Sequence, residues 1–248
     1  MSNYPEGGGL GIRSDSGRAR MPLTTSLFVA LVTLGVTLGS LPAATAGTFT
    51  CTRVLGASHT RQWFLDAPEF EIAVGSDTWE LVYRKGSALR WQNPDYIGWS
   101  DPPLSPCAER SGDPDRVLLN VSSSGVHEDV SYWVENIQRT LATIRSKYPN
   151  LRQILLQPIW GGPNNQVCTL ERDPSVLIRA SVNHPYIDQA VVQVDAADTV
   201  GDVEVGILPH LVTCLDYSND KGSGHVDRGR RGFYGQMIGD FYVAFDGS

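Results

Sequence analysis

The chain has 248 residues, of which 41% are hydrophobic and 19% are charged. This balance is typical of a globular protein with one sizeable core and differs from that of disordered or fibrous chains. The formal net charge of -7 at pH 7 provides no basic field for a polyanion, and no lysine-rich or arginine-rich run follows residue 21. The composition therefore argues against nucleic acid as a partner.

The start of the chain differs in pattern from the rest. Arginines come first, an apolar run over residues 27–39 follows, and then comes the small-residue stretch Ala44-Thr45-Ala46. This order predicts a secretory signal peptide over residues 1–46, which leaves residues 47–248 as one secreted domain, extracellular or periplasmic. The apolar run is short for a bilayer span, so a permanent membrane anchor is the alternative. A start at Met21 would remove most of the positive charge, and this second alternative stays open.

From residue 48 onward, short β-rich apolar runs alternate with longer amphipathic segments. This alternation is typical of parallel strands joined by helical crossovers, so we predict an α/β fold with a five-stranded parallel sheet. The predicted strands are Thr50 to Leu55, Trp79 to Tyr83, Arg116 to Val121, Gln153 to Pro158 and Val203 to Leu208.

Three segments are predicted to be helical. Apolar residues three or four apart indicate one helical face over Glu128 to Tyr148. Val176 to Val194 is a second candidate, in which Pro185 must either kink the helix or mark its beginning. Arg228 to Phe245 is predicted to be the closing helix. The proline-rich stretch from Trp91 to Cys107 is predicted to be a long ordered loop.

Export favours disulfides for the four cysteines, and no C-x-x-C spacing is present. Four cysteines allow three connectivities, of which the predicted topology prefers one. Cys51 and Cys107 both belong to the amino ends of adjacent strands, whereas Cys168 and Cys214 follow strands at the carboxyl end. We therefore expect Cys51 to pair with Cys107 and Cys168 with Cys214.

Polar or glycine-containing segments follow the predicted strands at the carboxyl edge, where open parallel sheets bind ligands. The first strand ends in Gly56-Ala57-Ser58, the second in Lys85-Gly86-Ser87 and the third in Ser122-Ser123-Ser124-Gly125. A serine at such a strand-to-helix turn is exposed to the crevice, and its own N–H points toward an oxyanion formed on attack. The alternative is that these segments are small-residue turns that cap helices.

The segment after the fifth strand carries carboxylates and a histidine on one glycine-rich loop, from Cys214 to His225. His225 could reach across the sheet edge to Ser58, and a neighbouring carboxylate could fix its tautomer. Asp220 is the first choice for that carboxylate and Asp216 the second. The alternative is a solvated loop histidine.

This order of serine, glycine, polar turn and then Asp and His resembles the SGNH (GDSL-like) hydrolase family over nearly the whole mature chain. The resemblance implies a three-layer flavodoxin-like sandwich, Ser58 as nucleophile, His225 as base and Asp220 as orienting acid. It also implies an oxyanion hole formed by Ser58, Gly86 and Ser124. No metal or organic cofactor is implied.

The chain departs from the family pattern at three positions. Ala57 replaces the aspartate of the Gly-Asp-Ser turn, and Gly222 stands three residues before His225, where an aspartate is expected. Ser124 falls where an asparagine donates to the oxyanion, and losing such a donor typically costs roughly 3 to 4 kcal/mol of transition-state stabilisation. Asn164 or Asn165 could take over that bond.

Two functions are compatible with these observations. The first is a secreted serine esterase that hydrolyses short-chain acyl esters, including esters carried on carbohydrate. The second is a catalytically inactive protein of the same fold that binds carbohydrate or a cell surface. Hydrogen-bond contact between Ser58 and His225 would favour catalysis.

Other residues invite functional interpretation. Trp91, Tyr96 and Trp99 could stack on sugar rings or line an acyl pocket, or they could pack the loop onto the domain. His184 and His127 suggest metal ligands, but no spacing of histidines or carboxylates supports this, so no metal site is expected.

Overall fold

The computed structural model describes residues 49–108 and 113–247. The predicted signal peptide, residues 1–46, lies outside the described residues. Within them, no helix combines the length and the apolar character that crossing a bilayer requires.

A five-stranded parallel sheet forms the centre of the described residues, with the order β2-β1-β3-β4-β7. Two further short strands, β5 and β6, form an antiparallel pair. The predicted α/β class and five-stranded parallel sheet are confirmed, and the order is that of a doubly wound, flavodoxin-like fold. The strands are β1 (Thr52–Gly56), β2 (Trp79–Tyr83), β3 (Arg116–Val121), β4 (Gln153–Pro158), β5 (Thr169–Leu170), β6 (Asp173–Leu177) and β7 (Val203–Val205).

Two strands of the parallel sheet, β1 and β7, differ from their predicted bounds, and each difference has a local reason. The amides of Thr50 and Cys51 donate to the carboxylate of Asp115, so β1 begins two residues later than predicted. β7 ends at Val205 and not at Leu208. The amide of Gly206 still donates to Leu156 of β4. Pro209 has no N–H to continue the ladder, and pairing resumes past the end of β4, at a bridge between Gly161 and His210.

Helices cover both faces of the sheet. α1, α2 and α5 pack against one another on one face, and α3 and α4 pack on the other, which gives three layers. α4 begins later than predicted because residues 173–177 form β6, and it continues through Pro185. The helices are α1 (Ser58–Phe64), α2 (Glu69–Val74), α3 (Val130–Lys147), α4 (Arg179–Ala196) and α5 (Arg231–Asp246).

The sheet is buried on both faces, as its covering helices require. Every residue of β1 and β3 is buried. Apolar residues in these strands therefore follow one another and do not alternate with exposed polar residues. Between the sheet and the layer of α1, α2 and α5, the rings of Trp63 and Trp79 pack edge-on against Phe70.

A buried ion pair joins β1 to β2. Arg53 Nε lies 2.6 Å from Glu80 Oε1, and the two side chains are only 8% and 0% exposed. Arg53 also donates to Tyr148 Oη at 2.8 Å. The amide of Cys107 donates to the second Glu80 oxygen, so protein groups supply hydrogen bonds to both members of the pair.

The structure contains the two disulfides that the topology predicts. Cys51 pairs with Cys107, and Cys168 pairs with Cys214. The residues they join are 56 and 46 positions apart in sequence, and closing loops of such length typically stabilises a fold by roughly 2 to 4 kcal/mol.

Removing one member of the buried ion pair should be costly. Glu80→Ala leaves Arg53 charged and buried, and we expect the free energy of unfolding to fall by about 3 to 5 kcal/mol. Glu135→Ala is the matched control, because Glu135 also pairs with an arginine, Arg139, but both side chains are mostly exposed. Urea unfolding with the disulfides intact measures the free energy of unfolding of both variants. Equal losses in the two variants would contradict the role assigned to burial.

Candidate active site

Ser58 lies at the switch point of the sheet. β2 and β3 flank β1, so the chain leaves β1 at the place where doubly wound folds open a crevice. Ser58 is the first residue of α1, and the first amides of a helix have no acceptor within it. A Cβ at Gly56 would overlap the hydroxyl of Thr60. Glycine is therefore required for the tight turn that presents Ser58.

The turns after β2 and β3 meet beyond the end of β1. The amide of Ala88 and the hydroxyl of Ser87 both donate to the carbonyl of Ser122, each at 3.1 Å. Gly86, the predicted oxyanion donor, has a φ of 111°, a region that residues with a side chain rarely adopt. Its backbone conformation thus depends on its being glycine.

The loop before α5 brings His225 and Asp220 to Ser58. Ser58 Oγ lies 2.9 Å from His225 Nε2, and His225 Nδ1 lies 2.6 Å from Asp220 Oδ2. An ionised carboxylate only accepts, so Nδ1 carries the proton and Nε2 is left to accept from the serine hydroxyl. The three side chains therefore form a continuous chain of hydrogen bonds from the Ser58 hydroxyl through His225 to Asp220.

Two glycines explain how an acid five residues before the histidine can reach it. Gly222 and Gly224 have φ values of 71° and 94°, so the loop makes sharp turns that side chains would oppose. A Cβ at Gly222 would lie 2.9 Å from the carbonyl oxygen of Leu177, and one at Gly224 would overlap Ala180. The glycines therefore set both the course of the loop and its contact with the start of α4.

Asp220 is held in its ionised form. Burial opposes its charge, but hydrogen bonds from the Ser223 hydroxyl, at 2.8 and 2.9 Å, and from His225 outweigh burial. Together they lower the pKa of Asp220 below its ordinary value. The carboxylate can therefore stabilise a positive charge on His225 while its own proton stays off.

His59 is a second histidine against His225, with ring centroids 4.7 Å apart. Its Nε2 lies 3.3 Å from the carbonyl oxygen of Ser223 and donates to it. Burial, reinforced by the charge on His225, lowers the pKa of His59 to about 3. His59 is thus neutral at physiological pH and places no competing positive charge beside the base.

Arg179 connects two of the loops around the site. Its Nη1 donates to the carbonyl of Ser124 at 2.9 Å, and its Nε donates to the carbonyl of Gly222 at 3.4 Å. Ser124 is thereby tied to the loop of Asp220 and His225 through its main chain, while its side chain is exposed. The predicted oxyanion role of the Ser124 hydroxyl stays a prediction.

Several other candidate residues have structural partners. Asp216 is buried and accepts from Arg230 and Tyr234, so it is not the acid that orients His225. The side chain of Asn165 contacts His184 and not Ser58. Trp91 is 1% exposed, and its Nε1 donates to the carbonyl of Gly56. The packing alternative therefore holds for Trp91.

Sequence analysis did not assign a role to His59, Ser223 or Arg179. His59 could have been noticed as the neighbour of Ser58, and Ser223 as a hydroxyl between the acid and the base. No sequence pattern marks Arg179, because it reaches the site from the start of α4 and its hydrogen-bond partners are backbone carbonyls.

Comparisons with known proteins show a weak structural similarity. No protein-family model matches the chain, and a search of curated proteins gives no match. Among solved structures, the chain is similar to a family two carbohydrate esterase from Cellvibrio japonicus, with a TM-score of 0.42 and 16% sequence identity. The similarity covers 77% of this chain and 62% of that chain, so this chain spans less than two thirds of the length of the esterase.

The pKa of His59 predicts a specific dependence of stability on pH. The unfolded chain takes up this proton near the ordinary pKa of 6.5, whereas the folded protein takes it up only near 3. The free energy of unfolding should therefore fall as the pH drops through this window, by about 1.4 kcal/mol per pH unit for one such histidine.

His59→Gln removes this titrating group. The slope of the free energy of unfolding against pH in this window should therefore be smaller by about the same amount. Urea unfolding over a series of pH values measures it. Above the ordinary pKa of 6.5 the curves of the two proteins should run parallel, which serves as the internal control. Identical slopes in the acid window would show that His59 is not held neutral.

Proposed function

We propose that the protein is a secreted serine esterase that hydrolyses short-chain acyl esters, including esters carried on carbohydrate. The observation that carries the proposal is the relay of Ser58, His225 and Asp220, with distances of 2.9 and 2.6 Å. The two disulfides are consistent with an oxidising compartment. The relay favours catalysis over the alternative of an inactive binding protein.

The reaction proceeds in two halves. His225 Nε2 takes the proton of Ser58 as Oγ attacks the ester carbonyl carbon, and it returns that proton to the departing alcohol oxygen. An acyl-serine and a free alcohol result. Water, deprotonated by the same imidazole, then attacks the acyl-serine and releases the acid, and Ser58 regains its proton.

The tetrahedral oxyanion needs donors fixed before the reaction begins. The amide of Ser58 is suited to this because it belongs to the first turn of α1, and the amide of Gly86 lies in the neighbouring turn. Ser124 supplies the third donor in the proposed mechanism. Arg179 holds the main chain of Ser124 in place.

Substitutions in the relay should remove activity without unfolding the protein. We expect Ser58→Ala and His225→Gln each to lower kcat/KM for p-nitrophenyl acetate by at least about 10⁴-fold, because nucleophile and base act as a unit. The double variant should be no worse than either single one. Asp220→Asn should lower it by about 10⁴-fold, since the imidazole then loses its correct tautomer.

A serine-directed fluorophosphonate probe tests the nucleophile directly. The disulfide-intact protein should be labelled, Ser58→Ala should not be labelled, and the exposed-serine control Ser131→Ala should be labelled like the original. A series of p-nitrophenyl esters from acetyl to longer chains, followed by acetylated sugars, then defines the acyl preference. A folded protein with neither turnover nor labelling, but with measurable glycan binding, would establish the binding function instead.

A further inference from the structure

A second polar cluster lies at the carboxyl ends of β4 and β7. His184 and Asp188 are one turn apart on the same face of α4, and His210 comes from the segment after β7. One potential ligand atom from each residue lies within 4.8 Å of the others. A second group of potential metal ligands, Cys51, Glu80 and Cys107, is not available to an ion. Its two cysteines form a disulfide, and Glu80 pairs with Arg53.

Both histidines are oriented so that one nitrogen is free to bind. His184 Nδ1 donates to Asn165 Oδ1 at 3.0 Å, and His210 Nδ1 donates to the carbonyl of Gly162 at 3.0 Å. These bonds place the proton on Nδ1 and leave the lone pair on Nε2, which is how histidines that bind metals are usually held. His184 is fully buried, and its Nε2 has no hydrogen-bond partner among the described residues.

The carboxylate of the cluster also lacks a counter-charge. Asp188 Oδ1 is buried without a hydrogen-bond partner, and no Lys or Arg of the described residues pairs with it. Burial raises its pKa, although His210 and a hydrogen bond from Asn165 act in the opposite direction. Two buried polar atoms of the cluster, Asp188 Oδ1 and His184 Nε2, therefore have no hydrogen-bond partner among the described residues, and such atoms are costly unless a ligand binds them.

The backbone around the cluster is shaped to hold these side chains. Asn164 and Asn165 both have positive φ, at 49° and 63°, a conformation that asparagine adopts more readily than most residues with a side chain. A Cβ at Gly161 would lie 2.7 Å from the ring of His184. Asn165 therefore contacts both His184 and Asp188 from a fixed backbone position.

We propose that His184, Asp188 and His210 bind one divalent transition-metal ion, for which Zn²⁺ is the best fit. Two imidazoles and a carboxylate suit zinc, whereas calcium and magnesium prefer sets of oxygen ligands. A tetrahedral zinc ion with bonds of about 2.0 to 2.2 Å needs ligand atoms about 3.4 Å apart, so the proposed ion draws the ligand atoms, which lie within 4.8 Å of one another, closer together. The fourth ligand is water, which enters from a surface depression bordered by Asp188 and Leu208.

The ion joins three parts of the fold that contact the cluster, namely α4, the turn after β4 and the segment after β7. That segment continues to Cys214, whose disulfide to Cys168 precedes the loop of Asp220 and His225. The proposed ion thus stabilises the scaffold of this loop and takes no part in the reaction at Ser58. The inference does not rest on the proposed esterase activity.

Zinc titration of the untagged, disulfide-intact protein after chelator treatment tests the proposal. We expect calorimetry to give one site per chain and thermal unfolding to shift upward with Zn²⁺. Asp188→Asn and His210→Gln should each weaken binding by at least about 100-fold and abolish the thermal shift, because each removes a ligand. Asn165→Ala should weaken binding by about 10- to 100-fold, because it removes the orienting partner.

The matched controls remove the same chemical groups elsewhere. Asp195→Asn takes a carboxylate from the same helix, and His127→Gln takes a histidine outside the cluster, and both should bind zinc like the original protein. Co²⁺ in place of Zn²⁺ should give visible absorption bands that Asp188→Asn loses. Absence of zinc binding in the original protein, or equal binding in Asp188→Asn and His210→Gln, would overturn the proposal. Circular dichroism identifies any variant that fails to fold, and Asp188→Asn is close to isosteric.

Discussion

The candidate active site depends on a buried chain of hydrogen bonds centred on Thr60 and Asn120. Thr60 Oγ1 accepts from the amide of Ala57 and donates to Asn120 Oδ1 at 2.8 Å. The Asn120 amide then donates to the carbonyls of Gln157 and Pro158 at the end of β4. Since Thr60 and Asn120 are almost fully buried, breaking this chain would leave polar groups without partners. Ser58 therefore sits on a turn that is fixed to two neighbouring strands.

His225 belongs to a loop with little regular structure, so its position needs separate constraints. The amide of Val226 donates to Gln62 of α1, which ties the residue after His225 to the helix that begins with Ser58. The amide of Ser218 donates to the carbonyl of His225 and closes the loop. Arg179 and the Cys168–Cys214 disulfide restrain it from the side of α4. Pre-organisation of this kind keeps a nucleophile and its base aligned before substrate arrives.

Pattern alone predicted the features that depend on local periodicity. Buried strands such as Arg116 to Val121 were predicted from their apolar residues. The rule that ligands bind at the carboxyl edge of a parallel sheet led to Ser58 and His225 as candidate site residues. Contacts between distant segments were not predictable in this way. His184 and Asp188 have helical spacing, but His210 joins them only because the segment after β7 pairs with Gly161, in the segment after β4. That bridge depends on the course of the chain past Pro209, which no sequence window reveals.

Burial has a common effect on two histidines at this edge of the sheet. His59 and His184 both have a pKa lowered to about 3, chiefly because burial disfavours their charged forms. The consequence differs with the neighbours. His59 lies against His225, which becomes positively charged in the proposed acyl transfer, and a neutral His59 leaves Asp220 as the group that responds to that charge. His184 belongs instead to the cluster with Asp188 and His210, in which one ligand atom from each residue lies within 4.8 Å of the others, and its Nε2 has no hydrogen-bond partner among the described residues. Burial therefore suits His59 to remain a neutral neighbour of His225, whereas at His184 it leaves an unpartnered nitrogen available to the proposed ion.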